Sequence, residues 1–156
     1  MAAKYRKIDP RMWKDDKFRE LTEVEKLIAI YVITAQSNRI GLFNFSTALA
    51  AEDLGMVPER FLEGFGKVIL TLNWGWDSSK RMVFLPSWWK YNHPDGRNIL
   101  KGCLTDLHDL PESELVKRFI DNVQYLTPNL HETFREGSGK VTGTYRHQEQ
   151  EQEQEQ

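Results

Sequence analysis

Apolar and polar positions follow a helical period over much of this chain, most clearly between residues 46 and 72. Ser46 is a good N-cap, Gly55 suits the left-handed residue that ends a helix, and Pro58 suits the first turn of the next helix. After Pro58, apolar residues recur at i, i+1, i+4, i+7, i+8 and i+11, which predicts a helix with one buried face. Two helices joined by so short a turn form a helix-turn-helix. The predicted buried stripe is Phe61, Leu62, Phe65, Val68, Ile69 and Leu72, and the opposite face carries Glu59, Arg60, Glu63, Gly64, Lys67 and Thr71.

The residues around this pair of helices predict one more helix and three short strands. Thr22 and Glu25 have the spacing of a capping box, and the mostly apolar helix that they open continues to about Ser37. Residues 42–45 predict a short strand, and residues 73–77 and 82–85 predict a hairpin with a polar turn that carries two cations. Helix, strand, helix, helix and hairpin is the element order of a winged helix, in which the turn at residues 78–81 is the wing.

Apolar periodicity after the hairpin predicts a second layer of helices. Asn98 is the expected cap of one helix and Pro111 opens another, whereas helical signals weaken from Thr127 and residues 136–140 have linker composition. The Gln-Glu repeat after His147 cannot bury apolar surface, so it is expected to be disordered or a solvated helix. The fold class is therefore mainly α with a small β-hairpin, a winged helix-turn-helix plus C-terminal helices. The predicted divisions are a basic N-terminal arm (1–20), a winged-helix domain (21–90), a C-terminal helical extension (91–126), and a linker with a disordered tail (127–156).

Two segments leave alternatives open. Residues 4–19 hold seven Lys or Arg and three Asp around isolated apolar anchors, and they predict either a segment packed on the domain or a basic arm along a phosphate backbone. The two interpretations are compatible. Residues 87–94 are rich in aromatic side chains, which predicts either base stacking on a single strand or packing in the core. Packing is the favoured interpretation because the segment directly follows a hairpin.

Composition narrows the class of protein. The 156 residues carry a formal net charge of −2, but four of the 23 acidic residues lie in the last nine, so the remainder holds 21 basic and 19 acidic side chains. The single Cys103 excludes an intramolecular disulfide and suits a reducing cytosol. No segment resembles a signal peptide, and the longest apolar stretch, residues 27–34, is too short to span a bilayer. We expect a cytoplasmic protein with no membrane contact.

The chain lacks the residue patterns of a catalytic or metal site. Its histidines have no zinc-ligand spacing to Cys103 or to acids, and the acidic patch at residues 106–109 is ordinary for a helix end. Gly64 and Gly66 lie inside a predicted helix, where an approach by DNA or another backbone, or a tight helix crossing, would explain them. Without a nucleophile–base pair or a carboxylate dyad, we expect neither an enzyme nor a cofactor. The four histidines are His93, His108, His131 and His147.

Several short motifs occur in order along the chain, at residues 5–13, 17–19, 49–55, 58–61, 83–86, 90–92 and 110–112. Taken together, they resemble the N-terminal domain of phage and prophage replication proteins, the replisome-organiser or DnaD-like initiators. That resemblance implies a winged-helix domain that binds origin duplex DNA in a bacterial host cell and self-associates. It also implies delivery of a replicative helicase or primase through a C-terminal region, which we expect to be missing because the final repeat stops in mid-unit.

These observations predict a double-stranded DNA-binding surface. Carboxylates at Glu59 and Glu63 make the second helix close to neutral, although a carboxylate can accept from cytosine N4. One rival is a winged-helix transcriptional regulator, and another is a winged helix whose open face docks a protein. The predicted contacts are Arg60, Lys67 and Thr71 in the major groove, Lys80 and Arg81 on the wing, and Lys4, Arg6, Lys7 and Arg11 along the backbone.

Overall fold

The computed structural model describes residues 6–123 and 125–139, and over these the chain is mainly helical with a small three-stranded antiparallel sheet. The coarse fold class predicted from the sequence is confirmed. The strands are β1 (Leu42–Asn44), β2 (Gly75–Asp77) and β3 (Met82–Phe84). After a 3₁₀ turn at Pro10–Lys14, the helices are α1 (Asp16–Arg19), α2 (Glu23–Thr34), α3 (Thr47–Leu54), α4 (Pro58–Leu72), α5 (Trp88–Asn92), α6 (Arg97–His108), α7 (Glu114–Asp121) and α8 (residues 128–139).

Local signals set the ends of the N-terminal helices. Both hydrogen bonds of the capping box form at Thr22 and Glu25. The Ser46 hydroxyl accepts from the amide of Leu49 at 3.1 Å, and Gly55 ends α3 in the left-handed region with φ of 67°. Helix α2 ends at Thr34, three residues earlier than predicted, because the chain turns there and the Gln36 side chain donates to the carbonyl of Ile33. That bond satisfies one of the carbonyls that a helix end leaves open.

The sheet lies between two layers of helices. Its order is β1-β3-β2, so the first strand pairs with the last, and Phe43 and Trp76 both face Val83 across the ladder. Successive side chains of a strand point to opposite faces. One face, with Phe43 and Val83, packs in a cluster with α2, α3 and α4. The other face, with Met82 and Phe84, packs in a second cluster with the helices that follow the hairpin.

The C-terminal helices pack on the same sheet as the N-terminal helices, across the predicted division between residues 90 and 91. The Phe119 ring of α7 meets Phe84 of β3 edge-on at 6.1 Å between centroids and Trp89 at 5.0 Å. Helix starts in this layer also differ from prediction. Gly96, not Asn98, precedes α6, and Ser113 caps α7 by accepting from the amide of Leu115.

Residues 128–139 form a helix where the sequence predicted a linker. Leu130 and Phe134 are buried, and the Phe134 ring lies 6.0 Å from that of Phe119. A Cβ on Gly137 would lie 2.6 Å from Leu104, so this glycine marks a close approach between α8 and α6. The prediction was wrong because glycine at a helix crossing has the same local signature as glycine in a linker. The Gln-Glu tail, predicted as disordered, lies outside the described residues.

Helix α4 turns most of the predicted stripe inward, with Ile69 and Leu72 half-buried at its C-terminal end. Phe61, Phe65 and Val68 are buried, but the Leu62 side chain is 50% exposed. Gly64 faces inward, where an added Cβ would lie 2.6 Å from Cδ1 of the fully buried Ile28 on α2. A tight helix crossing therefore accounts for Gly64.

Gly66 has no such close neighbour, so alanine substitutions at the two glycines provide a matched test of the helix crossing. A Cβ on Gly66 would meet no described atom within 4 Å, so Gly66→Ala is expected to raise the free energy of unfolding by about 1 kcal/mol through helix propensity. Gly64→Ala must displace Ile28, and we expect a loss of about 1 kcal/mol after the propensity gain is subtracted. Urea unfolding of both variants, at a protein concentration low enough to keep the chain monomeric, measures the difference, and equal stabilisation of the two would contradict the close crossing.

Candidate nucleic-acid interface

The hairpin turn, residues 78–81, is exposed and held in one conformation by Asp77. Oδ1 of Asp77 accepts from the Ser79 amide at 3.1 Å, from the Ser79 hydroxyl at 2.8 Å and from the Lys80 amide at 3.1 Å. Arg81 closes the turn with a backbone φ of 54°, a conformation that residues other than glycine, asparagine and aspartate seldom adopt. The two cations of the turn thus sit on a braced backbone.

A second bond of Asp77 ties the hairpin turn to the C-terminal helical layer. Oδ2 accepts from the hydroxyl of Ser113 at 2.6 Å, and the same hydroxyl oxygen caps α7. The Ser113 hydroxyl, followed by that of Ser79, holds the pKa of Asp77 below its ordinary value. Sequence reasoning missed this brace, because the two residues are 36 positions apart and each looks like an ordinary turn or cap residue.

Lys80 and Arg81 form one wall of a groove of about 450 Å³ whose other wall is the start of α3 and the end of α2. The amide of Phe45 donates to the carbonyl of Arg81 at 2.8 Å, which fixes the turn against the entry to α3. Ser46 and Tyr31 also line the groove. A cationic wall beside a helix start is an arrangement that attracts phosphate.

Tyr31 lines this groove, and the pKa of its hydroxyl can be measured. Its hydroxyl donates to Oδ2 of Asp53 at 2.6 Å, and burial followed by that hydrogen bond raises the pKa of Tyr31 to about 12. The pKa of Tyr31 is higher in the folded state than in the unfolded state. Its contribution to the stability of the fold is therefore fully present below pH 10, and it is lost as the pH rises from 10 through about 12. In Asp53→Ala we expect the pKa of Tyr31 to fall only part of the way back, because burial remains. Ultraviolet titration of tyrosinate, as a difference between the two proteins, measures this; identical curves would contradict the bond.

The cations predicted on α4 are accessible but modest in number. Arg60 is exposed, and Lys67 is exposed and pairs with Glu63 at 3.7 Å on the same helix. Thr71 is half-buried near the end of the helix. The outer face of α4 is open, as a DNA-reading helix requires, although part of its charge is neutralised within the helix.

These three residues and the hairpin turn lie on different flanks of α4. At about 100° per residue, the three fall on the flank that borders α2, near Gly64 and its contact with Ile28. The opposite flank carries Phe65, whose ring meets Trp76 of β2 edge-on at 5.1 Å. The structure thus forms two separate basic patches from the predicted contacts, one on α4 and one at the hairpin turn.

The N-terminal segment is packed on the domain as far as it is described. The Arg6 guanidinium is half-buried and donates to the carbonyl of Gln36 at 2.7 Å. Arg11 pairs with Asp9 at 2.8 Å and lies over the Tyr91 ring at 4.7 Å, and the Arg11 hydrogen bond lowers the pKa of Asp9 to about 2. Lys7 is exposed, and Lys4 lies outside the described residues.

The aromatic segment after the hairpin is divided between the core and a cavity. Trp89 is buried, as the packing interpretation predicts, and the indole N–H of Trp88 donates to the carbonyl of Arg39. Tyr91 is 39% exposed and, with Trp88 and Trp74, lines a cavity of about 410 Å³ beneath the N-terminal segment.

Within residues 6–123 and 125–139, no three His, Cys, Asp or Glu side chains cluster as metal ligands would. Asp106, from the acidic patch noted in the sequence, pairs with Arg39 at 3.1 Å. Burial raises the pKa of the Cys103 thiol to about 12. The helices of the described part of the chain are all too short or too polar to cross a membrane.

Comparisons of the chain with protein-family models, with curated proteins and with solved structures found no match.

Proposed function

We propose that this chain is a double-stranded DNA-binding winged-helix domain of a phage replication initiator. The observation that carries the proposal is the hairpin turn, in which Lys80 and Arg81 project from a backbone braced by Asp77. A braced turn loses little conformational freedom when it meets a phosphate backbone, so more of its electrostatic attraction contributes to affinity. The element order, α2-β1-α3-α4-β2-β3 with β1 paired to β3, supports the same fold assignment.

In this proposal the hairpin turn anchors the domain on phosphates and the cationic flank of α4 reaches the adjacent groove. Arg60, Lys67 and Thr71 supply the groove contacts, while Glu59 and Glu63 limit the net attraction. Most of the affinity is then independent of sequence and sensitive to salt. Lys4 and Lys7 add backbone contacts, whereas Arg6 and Arg11 contribute chiefly by fixing the N-terminal segment.

The replication role extends this proposal beyond DNA binding. It follows from the resemblance of the short motifs to replisome organisers, and it includes a cytoplasmic location in a bacterial host, self-association, and delivery of a helicase or primase through a further C-terminal region. An initiator gathers several copies on repeated origin sites, which compensates for weak binding by a single domain.

A mobility-shift experiment with fragments of the phage genome, at two salt concentrations, tests the DNA-binding proposal. We expect a shift that weakens steeply with salt, at a slope of about −0.9 in log K for each phosphate contact. No shift at either concentration would overturn it. Footprinting then separates the roles: protected repeats at an origin support the initiator, and protection confined to a promoter supports a transcriptional regulator.

A further inference from the structure

The outermost face of α4 carries apolar side chains that the folded chain leaves uncovered. The Leu70 side chain is 82% exposed and that of Leu62 is 50% exposed, and Gly66 lies midway between them in sequence with open space above it. The four-residue spacing places all three on one ridge of the helix surface. We call these residues the α4 strip; it is centred about 120° around the helix from the flank that carries Arg60 and Lys67.

The α4 strip has the shape of a helix-packing surface. Ridges of residues four apart interdigitate in the commonest class of helix–helix packing, and a glycine at the centre lets two axes approach closely. DNA phosphates and base edges offer no partner for two exposed leucines. Large apolar side chains grouped on one exposed helix face are a feature of interaction surfaces.

We propose that the occupant of the α4 strip is the α4 strip of a second copy of this chain, packed antiparallel about a twofold axis at Gly66. In that arrangement Leu62 of each copy lies opposite Leu70 of the other. A twofold interface must be complementary to itself, and a strip symmetric about Gly66 meets that requirement. The proposal does not depend on DNA binding, because the hairpin turn and Arg60 stay open, and Lys67 is the one member of the cationic flank that borders the interface.

Charge along one edge of the strip favours the same arrangement. Glu63 and Lys67 lie on the same side of α4 and pair within the helix at 3.7 Å, with side chains that are 73% and 59% exposed. About the axis at Gly66, Glu63 of each copy falls beside Lys67 of the other, so two opposite-charge pairs form across the interface.

Sedimentation equilibrium of the full chain without DNA tests the association. We expect the wild type to show a concentration-dependent monomer–dimer equilibrium and Leu70→Ser to raise its Kd at least tenfold. The control is Ile99→Ser, which removes a 46% exposed apolar side chain from α6, on the other side of the sheet. Both positions are exposed, and circular dichroism checks that both variants remain folded. A monomeric wild type, or a dimer that Leu70→Ser leaves unchanged or that Ile99→Ser weakens equally, overturns the proposal.

A charge-exchange experiment tests the antiparallel arrangement. Glu63→Lys alone and Lys67→Glu alone each place like charges across the twofold axis, so each variant is expected to associate less than the wild type. Mixed in equal amounts, the two variants restore both opposite-charge pairs, and we expect a heterodimer whose Kd returns towards the wild-type value. A mixture that stays as dissociated as its components would overturn the antiparallel pairing.

Discussion

Replacement of Lys80 by Ala together with Arg81 by Asn is expected to flatten the salt dependence of DNA binding by about two units in the slope of log K against log[salt]. Each cation that contacts phosphate releases a counterion, and the braced hairpin turn presents both cations to solvent. Asn suits position 81 because it tolerates the positive φ that Arg81 adopts. Fluorescence anisotropy with a labelled duplex over a salt series measures the slope.

The control for this variant removes two exposed lysines from the other side of the sheet. Lys101→Ala with Lys117→Ala changes the net charge equally, and these residues lie on α6 and α7. We expect the control to lower affinity slightly and to leave the slope almost unchanged. A slope that both double variants alter to the same extent would mean that only net charge matters, and the hairpin turn would then have no special role.

Phe119→Ala is expected to lower the free energy of unfolding by about 3–5 kcal/mol, because it empties the centre of the second core. The Phe119 ring contacts those of Phe84, Trp89 and Phe134 and is 4% exposed. Since the sheet is shared by both cores, the loss should shift a single cooperative transition. Urea unfolding followed by both circular dichroism and tryptophan fluorescence measures it.

Phe119→Leu keeps most of the apolar volume, so its loss should be much smaller than that of Phe119→Ala. The outcome that contradicts a shared core is a separate early transition of the C-terminal helices in the Ala variant, with the remainder of the chain unfolding at its original midpoint. Such behaviour would support the predicted domain boundary near residue 90.

Strong local signals in the sequence located the N-terminal half of the fold. The capping box at Thr22, the N-cap at Ser46 and the left-handed Gly55 each act through bonds or φ values within a few residues, and each occurs as predicted. The periodic stripe of α4 was likewise visible, because a period of 3.6 residues needs no tertiary information. Leu62 is the exception, since periodicity shows which side is apolar but not where burial stops.

The sequence-based predictions were wrong where two different structures share the same local sequence pattern. Gly137 suggested a linker, yet it allows α8 to approach Leu104. Arg6 looked like a free basic side chain, yet it donates to the carbonyl of Gln36, 30 positions away. Arg11 looked the same, yet it pairs with Asp9, two positions away, and lies over the Tyr91 ring. In each case the residue that makes the contact is either distant in the sequence or, like Asp9, looks no different from other polar residues nearby.

By itself, the sequence determined helices α2, α3 and α4, the caps at Thr22 and Ser46, and the hairpin with its two cations, because capping, turn chemistry and hydrophobic period act over a few residues. Only the tertiary structure decided that one sheet serves two cores, that Ser113 braces Asp77, and that Leu62 and Leu70 remain uncovered. Those features depend on contacts between residues far apart in the chain, and burial is a property of the packed whole.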